Sequence, residues 1–161
     1  MGLRNFLLNA FRELIVHHHS SLEFRAKLFA LVVAVDSQAT EEVYERIKEV
    51  ALSTYKNDED RAHILVMSTK EYVKRVREEH GSHIDALITN IQSELKLMPR
   101  YAKKIDISSL EKVLEFTKNE DTLLYQKNII EFLEKLKEEI LHTKKNQITQ
   151  DEQGFHSKYS S

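Results

Sequence analysis

Cysteine and tryptophan are missing from this 161-residue chain, proline occurs once and glycine three times. Without cysteine there is no disulfide framework, no thiolate zinc site, no iron–sulfur cluster and no cysteine nucleophile. A reducing cytoplasm is the expected home. So few turn residues, set against abundant Glu, Lys and Leu, exclude an ordinary β fold and predict an all-α class. No apolar run approaches the roughly 20 residues that a bilayer-spanning helix needs. The longest closes with FALVVAV at Val35. There is also no Gly-rich phosphate loop and no nucleophile elbow. The formal charge is −2, from 24 basic and 26 acidic side chains that are interspersed. That balance supplies no overall field to draw the chain onto nucleic acid or anionic lipid, so no nucleic-acid partner is expected.

What is present is helical periodicity. Leu3, Phe6, Leu7, Ala10, Phe11, Leu14 and Ile15 fall on one stripe, predicting an amphipathic first helix within residues 1–20. Arg4 and Arg12 lie opposite that stripe, an arrangement that suits either packing on a bundle or peripheral contact with a membrane surface. Ser20 and Glu23 read as a capping box opening a second helix, apolar nearly all round from Leu22 to Val35 and therefore central. Thr40 is the expected cap of a third, with Val43, Tyr44, Ile47, Val50 and Ala51 inward. A fourth helix is predicted over residues 58–79, closing at His80 and Gly81, and a fifth from Ser82 to the stop at Pro99. Residues 100–106 read as a loop. Ser108 and Glu111 suggest a second capping box for a short sixth helix, broken at Asn119 to Asp121. The seventh spans residues 122–143 through Leu123, Leu124, Ile129, Ile130, Leu133, Leu136 and Ile140. Residues 144–161 carry too few apolar side chains to repay ordering and are expected to form a disordered tail. The expectation is one domain over residues 1–143, with a core bundle at 21–143 and seven helices joined by short connections.

One local pattern points to a site. The apolar run ends at Asp36, and Thr40, Glu41 and Glu42 open the next helix. Carboxylates at such a corner can converge, and their oxygens are what hard cations such as calcium, magnesium or manganese take. They serve equally as helix punctuation, since acidic residues favour a helix N-terminus. The run Ala34, Val35, Asp36, Ser37, Gln38, Ala39, Thr40, Glu41, Glu42 resembles the first hairpin of the tellurite-resistance TerB-like domains. That hairpin carries Ala-x-Asp-Gly, a short turn, Ser and then Glu-Glu. The resemblance covers about residues 22–141 and implies a seven-helix bundle, a stress-related binding or regulatory role and a divalent-cation site at Asp36, Glu41 and Glu42. A protein partner is implied as well. Ser37 stands where the family has glycine and Ala39 where it has a larger apolar residue. In the second hairpin Asp121 is in place, whereas Gln126 and Lys127 take the acidic positions, so a second metal site is lost.

Other constellations compete. His17, His18 and His19 are consecutive, and neighbouring helical side chains point about 100° apart, so they do not face one ion. His80 and His83 flank Gly81 at a turn. Asp60 with His63 and Glu139 with His142 echo the Glu-x-x-His spacing of carboxylate-bridged metalloenzymes, the enzyme-class alternative to a binding module. Lys96, Arg100, Tyr101, Lys103 and Lys104 form a basic patch around Pro99 with one aromatic inside it. The third alternative is a helical scaffold with no metal site that binds other proteins.

Overall fold

The computed structural model describes residues 20–78 and 83–159, with side chains from 21–78 and 84–152. The first predicted helix and the histidine run at 17–19 lie outside the described residues, as do His80 and the side chain of His83. Among the described residues there is no strand, and an all-α bundle is formed by α1 (Ser20–Ala34), α2 (Glu41–Thr54), α3 (Glu59–Glu78), α4 (His83–Leu97), α5 (Ile107–Val113) and α6 (Glu120–Tyr159). Two 3₁₀ turns, Pro99–Lys104 and Leu114–Phe116, join α4 to α5 and close α5.

The bundle is built around α1. Its side chains from Phe24 to Val33 are buried with Arg25 alone half-exposed, and it touches α3, α4, α5, α6 and the first 3₁₀ turn. A helix apolar on every face can be stable only where neighbours cover every face, which is why the other elements wrap it. Each contributes one stripe: Val43, Ile47 and Val50 from α2, Leu65, Val73 and Val76 from α3, Leu87, Ile91 and Leu95 from α4, and Ile129, Ile130 and Leu133 from α6.

Several ends differ from the sequence expectation, each for a local reason. Thr40 has the extended backbone of an N-cap but its side chain makes no capping hydrogen bond. The α2 to α3 turn instead closes through Lys56 and Asn57, both left-handed at φ 55° and 66°, with the Asn57 amide donating to the Leu52 carbonyl at 2.8 Å. Residues 100–104 form a 3₁₀ turn, not an open loop, because Tyr101 and Ala102 are buried there. The cap of α5 is Asp106, not Ser108: its carboxylate accepts from the Ser109 amide at 3.3 Å and the Ser109 hydroxyl at 2.6 Å. Those bonds hold the Asp106 carboxyl below its ordinary value. Asn119 is likewise a cap and not merely a breaker, accepting from the Thr122 amide at 3.0 Å.

The largest difference is α6. The helix does not stop at residue 143 but continues through Tyr159, a length of about 60 Å at 1.5 Å per residue. Side chains 145–152 are exposed, so the extension is held by its own backbone and local pairs such as Asn146 with His142 at 3.1 Å. The helix thus continues without a core contact, which an argument from burial misses. At the other end of α6, Leu124 points outward and Gln126 inward, the reverse of their hydropathy. Gln126 is 1% exposed; its amide donates to the Val32 carbonyl at 3.0 Å, and its own oxygen accepts from the Thr117 hydroxyl at 2.7 Å. Val32 lies in the last turn of α1, where carbonyls have no partner within the helix, so Gln126 caps the central helix from a distance. Gln126→Ala strands both partners and is expected to cost about 2–3 kcal/mol, read as a lower urea midpoint at unchanged m-value.

Candidate functional site

Asp36 sits at the corner between α1 and α2 and is buried, 5% exposed. Its carboxylate accepts from the Gln38 amide at 3.0 Å, while its backbone carbonyl accepts from the Arg77 guanidinium at 2.9 Å and from the Ala39 amide at 3.2 Å. Asp36 therefore shapes the turn and ties it to the end of α3. Glu41 turns the other way, pairing with Lys70 at 3.0 Å on the surface, and Glu42 is exposed. Lys70 also lies over the Tyr44 ring at 5.0 Å. Burial raises the Tyr44 phenol, Arg77 pulls it back down and Glu41 adds to the rise.

Asp36, Glu41 and Glu42 thus share a corner without sharing a coordination sphere. Among the described residues no group of three or more His, Asp or Glu side chains is arranged to hold a metal ion. Calcium takes six to eight oxygens and magnesium a near-ideal octahedron, and one Asp36 oxygen with a Glu41 already engaged by Lys70 does not fit a preformed site. If Asp36 acts as turn punctuation, Asp36→Asn keeps the amide bond and most of the stability, whereas Asp36→Ala loses about 1 kcal/mol. A thermal midpoint that rises with Ca²⁺ or Mn²⁺ in the parent and not in Asp36→Asn would restore the metal reading.

The Asp-x-x-His and Glu-x-x-His pairs do not enter the bundle. Asp60, His63, Glu139 and His142 are all exposed, so neither pair faces a shared interior. The basic patch also changes character: Lys96, Arg100 and Lys103 are exposed and Lys104 is half-buried, but Tyr101 is 3% exposed, with its ring packed on Phe24 at 5.3 Å between centroids. Base stacking needs an open ring face, and the patch's one aromatic is committed to the core.

A polar cluster that periodicity did not reveal lies deeper. Lys27, in the middle of α1, has a side chain 9% exposed, and its ammonium meets Glu94 at 3.1 Å and the Asn90 side-chain oxygen at 2.7 Å, both on α4. The ammonium also lies 5.7 Å from the centre of the Tyr72 ring on α3, and the Tyr72 hydroxyl donates to Glu23, one turn before Lys27. The second Glu94 oxygen is buried and has no hydrogen-bond partner among the described residues. The available signal was the single Lys inside a helix otherwise apolar from Ala26 to Val35. Its chemistry is that of a lock: a buried ion pair contributes modestly to net stability but strongly resists rearrangement, because any other helix register leaves a charge buried alone. Glu94→Ala is expected to destabilise by about 3 kcal/mol by orphaning Lys27, whereas Lys27→Met combined with Glu94→Leu recovers most of that loss in chemical denaturation.

The third feature is a groove of about 700 Å³ between the end of α4 and the extension of α6. Leu95, Leu97, Met98 and Pro99 form one wall and Ile140 and Ile148 the other. Leu97 is 81% exposed and Ile148 50%, unusual for large apolar side chains that lie on one surface feature. Lys96, Arg100, Glu139, Lys144 and Asp151 line it with charge. On α6 the lining falls at 139, 140, 143, 144, 147, 148 and 151, the three- and four-residue steps of a single helical face. No helix among the described residues is long and apolar enough to cross a membrane. Comparison with models of protein families, with curated proteins and with solved structures finds no match to the chain.

Proposed function

We propose that this chain is a binding and regulatory module of the TerB-like kind, cytoplasmic and stress-related, that works by docking a protein partner. The observation that carries the docking role is the groove beside Leu97. Its apolar walls, parallel to a helix and edged with both signs of charge, suit the apolar stripe of an amphipathic helix laid lengthwise, with the charged edge setting its register. The hairpin at Asp36 is what ties the chain to the TerB-like pattern, and its role here is to fix the angle between α1 and α2. The polar elements of the core, Lys27 with Glu94 and Gln126 with Val32, hold α4 and α6 in fixed positions and so set the width of the groove they form.

The test uses a synthetic amphipathic peptide about four turns long, with Leu and Phe on one face and alternating Lys and Glu on the other. Titrated into isotopically labelled protein, it is expected to move the amide resonances around Leu97 and Ile148 before any others. Leu97→Glu combined with Ile148→Glu is expected to weaken it at least about tenfold, about 1.4 kcal/mol. Shifts centred elsewhere, or an affinity indifferent to that pair of substitutions, would remove the groove from the reading.

A further inference from the structure

Nearer the start of α6, on another of its faces, lies a second concave surface, and its charge is of one sign. It is a cleft of about 540 Å³ between α6 and the end of α5. Leu114, Leu123 and Ile130 form its floor. Its rim is charged and exposed: Glu111 and Glu115 on the α5 side, Glu131 and Glu134 on the α6 side, with Lys127 as the one cation of the lining. On α6 the lining falls at 123, 127, 130, 131 and 134, a single helical face about 17 Å long, or three turns. Leu124, 60% exposed, lies at the margin of that face, one turn before Lys127.

The negative charge is only partly answered within the bundle. Glu115 pairs with Arg46 at 3.0 Å and Glu131 with Lys135 at 3.2 Å, whereas Glu111 and Glu134 form no ion pair among the described residues. Glu111 with Glu115, and Glu131 with Glu134, are like charges one turn apart, a spacing that weakens a helix. A cationic neighbour relieves that repulsion. Among the described residues no three acidic side chains converge as they would on a metal ion, so the carboxylates act as separate charges along two banks. Nucleic acid and anionic membrane are repelled by such a rim, and a small cation leaves the apolar floor uncovered.

From this we infer that the cleft is a second docking surface, and that it takes an amphipathic helix of a partner protein whose apolar stripe is flanked on both sides by Lys or Arg. The stripe covers Leu114, Leu123 and Ile130, and the flanking cations meet one bank of glutamates each. The inference stands apart from the groove at Leu97, where both signs of charge line the walls and suit a helix of mixed charge.

The test is a synthetic peptide three to four turns long, with Leu at three- and four-residue spacing and Lys on both flanks, titrated into the isotopically labelled full-length chain. The amide resonances of Leu114, Leu123 and Lys127 are expected to move first. Glu111→Lys with Glu134→Lys changes two exposed rim positions, leaves the floor intact and is expected to weaken binding at least about tenfold. Amide resonances away from the cleft are expected to match those of the parent, which separates lost binding from lost folding; Glu111→Gln with Glu134→Gln is expected to weaken binding in the same direction by less. A peptide of the same charge with Ser in place of Leu is expected to show no saturable binding. Equal binding of the Ser peptide would reduce the surface to unspecific charge attraction and overturn the inference. So would shifts centred on Leu97, or an affinity indifferent to both pairs of rim substitutions. Sedimentation showing that the parent self-associates and the charge-reversed variant does not would assign the cleft to a second copy instead. Leu97→Glu with Ile148→Glu is expected to leave binding of the basic peptide in place, so the two docking surfaces stand or fall separately.

Discussion

An ammonium group inside the central helix constrains the rest of the bundle. Lys27 cannot be taken out of water unless something replaces its hydration, and the replacements come from two other helices: Glu94 and Asn90 on α4, and the Tyr72 ring on α3. Apolar side chains would tolerate a helix that slid or rotated by a fraction of a turn, because dispersion and area burial are non-directional. An ion pair at 3.1 Å with a hydrogen bond at 2.7 Å does not. With α4 fixed against α1, the 3₁₀ turn that follows α4 is fixed as well, and Tyr101 reaches Phe24. Leu97 and Pro99, which form one wall of the groove, lie at the end of the helix that this charge, with the buried stripe of Leu87, Ile91 and Leu95, holds against α1.

The opposite wall has an analogous origin. Gln126 pins α6 to the last turn of α1 through the Val32 carbonyl, and Lys137 donates to the Ile105 carbonyl at 2.7 Å further along. The choice of glutamine has a physical logic: a carboxylate has no proton to give a carbonyl, whereas an amide gives one and accepts another from Thr117. The amide at position 126 thus serves as a cap for the central helix. At the corner between α1 and α2 the opposite demand holds, and Asp36 accepts from a backbone amide, which a carboxylate does well.

Periodicity made most of the architecture legible before any coordinates. The stripes of α2, α3 and α4 and the all-round apolarity of α1 follow from a spacing that local sequence displays directly. What escaped was of two kinds. Caps depend on which of several nearby Ser, Thr, Asp or Asn side chains wins a backbone amide, so Asp106 displaced Ser108 and Thr40 held the position without the bond. Long-range polar pairing has no local signature at all: Lys27 and Asn90 are 63 residues apart, Gln126 and Val32 are 94 apart. Of the candidate site, the corner at Asp36 was visible as a pattern of acids, but that Glu41 faces Lys70 was not. The groove was not foreseen, because reading residues 144–161 as a tail removed one of its walls.

That wall has nothing packed behind it among the described residues. From residue 145 to 152 α6 turns exposed side chains to solvent, and an isolated stretch of this length is only marginally helical in water, where nucleation is costly and each added turn gains little. Whatever lies in the groove therefore does two things at once: it buries apolar surface and it stabilises a helix that already runs through Tyr159. A ligand's affinity at this surface is the contact energy less the cost of keeping an unsupported wall helical, so the helix propensity of residues that the ligand never touches enters its binding.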